Sequence, residues 1–278
     1  MTAPVIHNFN HHAMATHFQV RIANEEKTYA AQTAQEAFVL LDQLETHLSR
    51  FRANSDIVQL AQLAPGEQLR VSEPVLACLA LAREMAAATG GAFSATAAAL
   101  QSQPVQPAWT VVASEFAIRC DSGRLEFVLG AIGKGFALDR MEELLREWEC
   151  PAFMLVAGGS SVLAGDAPLE TPGWSCGLGD DGSLKRYWLK NVSVSGSGLA
   201  VKGRHIFDPR TGLPSALRNR VWALADSAAE SDALSTAAMI LPEPEIDGLL
   251  SRREDWLVFL RENENWRQLG LRPSPPPA

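Results

Sequence analysis

The pattern that most limits what this chain can fold into lies between residues 125 and 159. An apolar run, Leu125 to Leu129, enters the glycine turn Gly130-Ala-Ile-Gly-Lys-Gly135. A helical run follows from Phe136 to about Glu149, with Leu138, Met141, Leu145 and Trp148 along its apolar side. A second apolar run, Phe153 to Ala157, then stops at Gly158-Gly159. The short runs have strand length and the longer one has helical periodicity, so a strand–helix–strand unit is predicted. Around it, His17 to Ile22 alternates as a strand, and residues 33–48 carry Ala34, Phe38, Leu41, Leu44 and Leu48 on one helical stripe. Pro74 opens another helix that ends near Thr89-Gly90-Gly91. Further strands are predicted at 187–195, 200–207 and 219–225, with a closing hairpin from Trp256 to Arg261 and Trp266 to Leu271. Helices and strands mix without strict βα alternation, so an α+β fold is expected in place of a doubly wound sheet.

A single domain over residues 13–271 is expected, with Gln101 to Pro107 as a loop inside it. Residues 1–12 are polar and contain His7, His11 and His12; a flexible terminus is favoured there over a metal site. The Pro-rich tail 272–278 is expected to be disordered. Net charge is -8, which argues against wholesale binding to nucleic acid. An anionic ligand would need local lysines, backbone amides or a metal. Cys78, Cys120, Cys150 and Cys176 form no CxxC pair and are expected as reduced thiols in or near the core. No apolar stretch reaches the roughly 18 residues of a membrane span, and no secretory signal is visible. A cytoplasmic site is the expectation, with an exported form whose signal has been removed as the alternative.

Several segments carry chemistry. Asp232 and Thr236 stand at i and i+4 in a stretch that reads as a helix, capped by Ser227 with Glu230 and stopped by Pro242. That spacing puts a carboxylate and a hydroxyl on one face, a pair of hard oxygen ligands suited to Mg²⁺ or Ca²⁺, or else a solvated helix face. The turn at 130–135 is either an anion site of freed backbone amides, with Lys134 steadying a phosphate, or a plain tight turn. It fits neither the dinucleotide fingerprint nor Walker A. His205-Ile-Phe-Asp-Pro-Arg-Thr-Gly212 supplies a candidate acid or base, His205, beside a turn built on Asp208, Pro209 and Gly212. Thr89 to Thr96, Val156 to Ser161 and Ser193 to Gly198 are glycine- and hydroxyl-bearing loops. None has the strand-to-helix elbow of a serine hydrolase.

In order and kind these segments resemble the ApbE family of FAD:protein FMN transferases, over about residues 13 to 262. The resemblance rests on Met14-Ala-Thr-His-Phe, Ser49-Arg-Phe-Arg-Ala-Asn-Ser55-Asp-Ile, Thr89-Gly-Gly-Ala-Phe93 and Gly130-Ala-Ile-Gly-Lys-Gly-Phe-Ala-Leu-Asp139. It continues through Gly158-Gly159, Ser195-Gly196, His205 to Gly212 and Asp232-Ala-Leu-Ser-Thr236. It implies an α+β fold related to the T-fold with a flavin cleft, FAD as substrate, and Mg²⁺. The implied reaction cuts the FAD pyrophosphate, releases AMP and joins FMN to a Thr hydroxyl of a partner flavoprotein. Asp232, Thr236 and the Ala131 carbonyl then fall on the metal ligands, and His205 and Lys134 on the catalytic groups. Met14, Thr89, Gly90, Gly91, Ala92, Phe93, Gly130, Ala131, Gly135, Asp139, Gly158, Gly159, Ser195, Gly196 and Asp208 fall on the flavin-binding positions.

The chain departs from the family pattern at Ala15, which replaces a usual glycine, and at Ser94-Ala95, where Asp-Pro is frequent. Ser160, Ala61 and Gly133 are further departures, and the family's lipobox is not seen. They put FAD affinity and the acceptor in question. Two other functions use the same residues: an FAD pyrophosphatase with water as acceptor, and a flavin-binding carrier without turnover. The oligomeric state and the identity of the acceptor stay open at this level.

Overall fold

The structure, a computed structural model, describes residues 4–103, 105–179, 184–198, 207–213, 217–262 and 265–278. In chain order the strands are β1 (Ile6–Ala13), β2 (Thr16–Ala23), β3 (Gln68–Arg70), β4 (Ala108–Val112), β5 (Ala117–Ser122), β6 (Phe153–Ala157) and β7 (Ser161–Ala164). They continue with β8 (Trp174–Leu178), β9 (Lys185–Leu189), β10 (Val192–Gly198), β11 (Arg220–Ala225), β12 (Leu257–Glu262) and β13 (Asn265–Leu269). The helices are α1 (Lys27–Leu48), α2 (Asp56–Leu60), α3 (Glu73–Ala88), α4 (Gly133–Glu147), α5 (Ala228–Ala238) and α6 (Glu243–Leu250). This is a mixed α+β fold, as the unalternated order of elements predicts. No helix among the described residues is long and apolar enough to cross a membrane.

Eight strands form one antiparallel sheet in the order β1-β2-β6-β7-β10-β11-β12-β13. Its middle strands are apolar on both faces because both faces are covered. Phe153 and Leu155 point to the helices, as do Val221 and Ala223, and they join the main core with Leu41, Met141 and Leu234. Met154, Trp222 and Leu224 point the other way and pack against Trp174, Cys176 and Leu189 of the β8–β9 pair. Full burial of a side chain such as Phe153 contributes about 1.5 to 3 kcal/mol. A second, small sheet runs β3-β5-β4.

Helix α5 lies between the large sheet and α4, and its sequence is small on nearly every side. Ala228, Ala229, Ser231, Ala233, Ala237 and Ala238 are all buried. A helix enclosed on all faces has no polar face to show, and small side chains let both neighbours approach. Its N-terminus is capped by Ser227, whose Oγ accepts from the Glu230 N–H at 3.3 Å. The capping box is only half made. The Glu230 carboxylate accepts instead from Trp256 Nε1 at 2.9 Å and from Arg253 at 2.7 Å. At the other end the buried Arg218 guanidinium donates to the carbonyl of Ala238, an orphan acceptor of the last turn, and to that of Leu241 just beyond the helix.

Four expectations are corrected. Residues 124–128 join no sheet; the Val128 N–H donates to the Ala95 carbonyl at 2.8 Å, so the unit before α4 is not a sheet strand. The strand expected at 187–195 is two, β9 and β10. They are broken at Asn191, which takes a left-handed φ of 47° and whose side chain bonds Asp166 and Arg146. Residues 1–12 were expected to form a flexible terminus, yet β1 pairs in full register with β2 from Ile6↔Ala23 to Ala13↔Thr16. Its polar sequence suits an edge strand with one open face. The Pro-rich tail lies along β9: Trp188 N–H donates to the Pro276 carbonyl at 2.8 Å and Ala278 N–H to the Arg186 carbonyl at 3.0 Å. Prolines cannot donate but their carbonyls accept, so such a segment satisfies a free strand edge. The expected strand at 200–207 and the turn at 263–264 fall mainly outside the described residues. All four cysteines are free and buried, and burial pushes the Cys78 thiol up to about 12.

Candidate active site

Helices α4 and α5 meet N-terminus against N-terminus, and each supplies a carboxylate to the other. From α5, Asp232 reaches the start of α4. Its Oδ2 accepts from the Gly135 N–H at 3.0 Å and from Lys134 Nζ at 3.3 Å, and its Oδ1 accepts from Ser161 Oγ at 2.7 Å. From α4, Asp139 reaches the start of α5. It accepts from Ser227 Oγ at 2.7 Å and from the Ala228 and Ala229 N–H groups at 2.6 and 2.9 Å. A carboxylate at a helix N-terminus satisfies orphan donors and complements the helix dipole. Burial pushes the Asp139 carboxyl up to about 6, against the lowering effect of its three donors.

Close approach of the two helices depends on Gly135. A Cβ there would lie 2.6 Å from the Ala229 nitrogen and closer still to the Ala228 carbonyl. Gly135 is therefore required by packing whether or not a phosphate comes near it. Gly130 meets nothing within 4 Å and its carbonyl accepts from Lys134 Nζ at 3.2 Å.

Asp232 is 4% exposed, and Lys134 is its charged partner at the edge of the seam. Around them the oxygens are those of hydroxyls and carbonyls. Thr236 Oγ1 donates back to the Asp232 carbonyl at 3.2 Å, as a helical Thr can, and stands 3.3 Å from Ser197 Oγ. Ser197 in turn lies 2.8 Å from Ser235 Oγ. Beneath them Ser193 and Ser231 bridge β10 to α5 at 2.8 Å, and Ser231 donates to Ser195 at 2.9 Å. Ser195 is thereby a fully buried strut between sheet and helix.

These residues fit a hard divalent cation. The donors are all oxygen, and a carboxylate offers about four lone-pair positions, of which the bonds named here take three. A cation already sits among them: the Lys134 ammonium touches both Asp232 Oδ2 and the Gly130 carbonyl. Asp232 and Thr236 are the residues of this cluster that could hold such a metal.

The glycine pair at 158–159 adjoins this seam. Both residues take left-handed φ values, 59° and 68°, and Gly158 lies so close to Thr16 that a Cβ would meet its Oγ1 at 2.6 Å. The Gly158 N–H donates to the His17 carbonyl at 2.9 Å, and the Gly196 N–H donates to the Ser160 carbonyl at 2.7 Å. The β1–β2 turn, Met14-Ala15, is thus tied to the loop that precedes Ser161. Both turn residues have positive φ, 50° and 57°, the mirror-type hairpin turn that glycine would adopt without strain.

A second group of expected residues gathers at the end of α3. Thr89 Oγ1 donates to the Met85 carbonyl at 2.7 Å and accepts from the Phe93 N–H at 3.1 Å, closing the helix. Gly90 and Gly91 follow with positive φ, while Ala92 and Phe93 are buried in the core. Gly91 lies beside Arg210. The predicted turn is present: the Gly212 N–H donates to the Asp208 carbonyl at 2.8 Å, with Gly212 at φ 71°. Asp208 is engaged by Arg210, from both its backbone N–H and its guanidinium, and those bonds hold its carboxyl below the usual range. Gln106 joins the pieces, donating to the Pro209 carbonyl at 2.6 Å and accepting from Ser94 Oγ at 2.6 Å. It lies in the loop expected from Gln101 to Pro107. His205 lies outside the described residues.

Ser161, Ser197, Arg210 and Gln106 were not singled out from sequence. The first two stood in hydroxyl-bearing loops that were recognised, but which hydroxyl would turn inward depends on strand register, and the register was not known.

Fold and site define an α+β protein with a cluster of carboxylate and hydroxyl oxygens at a helix–helix seam. The chain belongs to the ApbE family, whose model matches residues 14–260. Its structure is similar to that of the flavinyl transferase ApbE of Pseudomonas stutzeri in its apo form, at 19% identity and a TM-score of 0.83, covering 96% of this chain and 95% of that one. The flavin transferase ApbE of Vibrio cholerae gives 18% identity and a TM-score of 0.81 over 95% of this chain and 96% of that one. The ApbE protein of Thermotoga maritima gives 20% and 0.79 over 95% and 97%. No curated protein matches in sequence.

Proposed function

We propose that this chain transfers FMN from FAD to a Thr hydroxyl of an acceptor flavoprotein and releases AMP, with Mg²⁺ bound at Asp232, Thr236 and the Ala131 carbonyl. The observation that carries this reading is the buried Asp232 carboxylate, held by Lys134, the Gly135 N–H and Ser161 at the start of α4. Family membership and the similarity to flavin transferases support it. In the reaction the acceptor oxygen bonds to the FMN phosphorus and the bridging P–O bond to AMP breaks. The metal, when bound, offsets negative charge on the phosphoryl oxygens. Lys134, on the outer side of Asp232, supplies an ammonium for the same phosphates. Ser161 and the Gly135 N–H fix the carboxylate so that it need not reorganise as charge develops. His205, by its place in the motif, takes the proton of the acceptor hydroxyl.

The test is incubation with FAD, with and without Mg²⁺, in the presence of an acceptor that carries the family's Thr motif. Mg²⁺-dependent AMP release together with an FMN-sized mass gain on the acceptor is expected. AMP without the mass gain, across several acceptors, would replace transfer by pyrophosphate hydrolysis. Bound FAD with neither product would leave a flavin carrier. His205→Ala should lower turnover more than it weakens FAD binding, and an unchanged turnover number would remove that role.

A further inference from the structure

Three of the chain's histidines lie in β1, and the structure divides them. His7 and His11 face α1 and are engaged: His7 Nε2 meets the Glu25 carbonyl at 3.1 Å, and His11 Nε2 meets Asp42 at 2.8 Å with its ring stacked on Phe38. His12 points to the opposite, open face, where its direct cross-strand partner is His17. Both are exposed. Among the described residues neither makes a hydrogen bond through its ring; their contact is with each other, ring centres 5.1 Å apart.

We propose that His12 and His17 form a binding site for a borderline first-row divalent cation, Zn²⁺, Ni²⁺ or Cu²⁺, distinct from the hard-cation cluster at Asp232. Neutral imidazole is the preferred ligand of these metals, and hard cations do not compete well for it. The spacing suits the task. With Zn–N bonds of about 2.0 to 2.1 Å, two imidazoles at a tetrahedral angle have ring centres roughly 5 Å apart. The rings stand edge to face at 79°, so a turn about the broad last torsion of each brings a nitrogen toward a shared point.

Register explains why they are so close. The hairpin loop is the two residues Met14-Ala15, closed by Ala13↔Thr16, so the next pair outward, His12↔His17, is the non-hydrogen-bonded kind whose side chains approach most nearly. The frame is anchored, since the His17 carbonyl accepts from the Gly158 N–H at 2.9 Å. The neighbouring pair on the same face, Asn10↔Gln19, is bonded to itself at 3.1 Å and does not compete for the rings. Exposure leaves room for water to complete the coordination. A metal across β1 and β2 would also cross-link an edge strand whose turn adjoins the Gly158-Gly159 loop.

The proposal is independent of the flavin reading and is tested on the whole chain, stripped of metal and held in excess Mg²⁺ to occupy hard-cation sites. Zn²⁺ is titrated by calorimetry, and Cu²⁺ is followed by paramagnetic resonance. One saturable Zn²⁺ site in the micromolar range is expected, with coupling from two nitrogens in the Cu²⁺ spectrum. His12→Asn and His17→Asn should each weaken binding by about tenfold or more, because each removes one of two ligands. His11→Asn, on the other face, should leave it unchanged. Zn²⁺ should raise the melting temperature of the parent chain and fail to do so in the double variant. No saturable site in the parent chain would overturn the proposal, as would a double variant that binds as tightly as the parent.

Discussion

The two carboxylates at the seam of α4 and α5 are built alike and surrounded differently. Asp139 and Asp232 each accept from the first turn of the other's helix, and each takes one serine hydroxyl, from Ser227 and Ser161 respectively. Among the described residues only Asp232 has a cation, Lys134, and only Asp232 is flanked by a helical hydroxyl one turn on. Asp139 is closed off by backbone donors, and burial pushes its carboxyl up to about 6. The same side chain therefore joins two helices in both places, and in one of them it also stands beside an ammonium and a helical hydroxyl. The resemblance to ApbE enzymes places Asp139 among the flavin-binding positions; in the structure its oxygens hold the start of α5, the helix that carries Asp232.

Replacement of Asp232 should show the largest effect. Asp232→Asn keeps the volume and removes the charge, and Mg²⁺-dependent AMP release should fall about a thousandfold, roughly 4 kcal/mol of activation free energy. Retained turnover with an intact circular dichroism spectrum would show that the two carboxylates do not differ in role. Gly135→Ala comes next. Overpacking against the Ala228 carbonyl should force the helices apart and cost about 3 kcal/mol in denaturant unfolding. An unchanged midpoint would mean that the seam is looser than its geometry.

A pH comparison isolates Asp139. Its folded-state value is raised to about 6, while the unfolded chain titrates near the ordinary aspartate value of about 3.9. Between those values the folded state holds the extra proton. This group's contribution to stability is thus fullest at low pH and is lost as pH rises toward 6, by on the order of 2 to 3 kcal/mol. Asp139→Asn should remove that slope while Asp232→Asn leaves it in place; parallel stability curves for the parent chain and Asp139→Asn would sink the assignment. Ser227→Ala is the mildest change. It deletes a cap and one donor to Asp139, and it should lower stability by about 1 kcal/mol without altering Mg²⁺ affinity.

Much of the fold was legible because its signals are local. Pro74 and the glycines after Thr89 frame α3, which spans Glu73–Ala88, and Ser227 caps α5 as its position predicts. Alternation at His17 to Ile22 gives β2, and the apolar run Phe153–Ala157 gives β6. The strand β1 was missed because its polar and histidine residues carry no apolar alternation, and the tail because proline content reads as disorder in the absence of a strand edge to dock on. At the site, Asp232, Thr236, Lys134 and the glycine turn stood out by type and spacing. Ser161 and Ser197 did not, since a serine in a loop gains meaning only from what faces it.

What the sequence determined by itself is the α+β class, several of the elements, the family pattern, and a carboxylate and hydroxyl on one face of a capped helix. The tertiary structure decided which groups those oxygens meet. Asp232 and the Gly135 N–H lie 97 residues apart in the chain, as far as local propensity is concerned without influence on one another. They are brought to 3.0 Å because α5 is small enough on every side to be enclosed between sheet and α4, and because Gly135 lacks the Cβ that would keep the two helices apart.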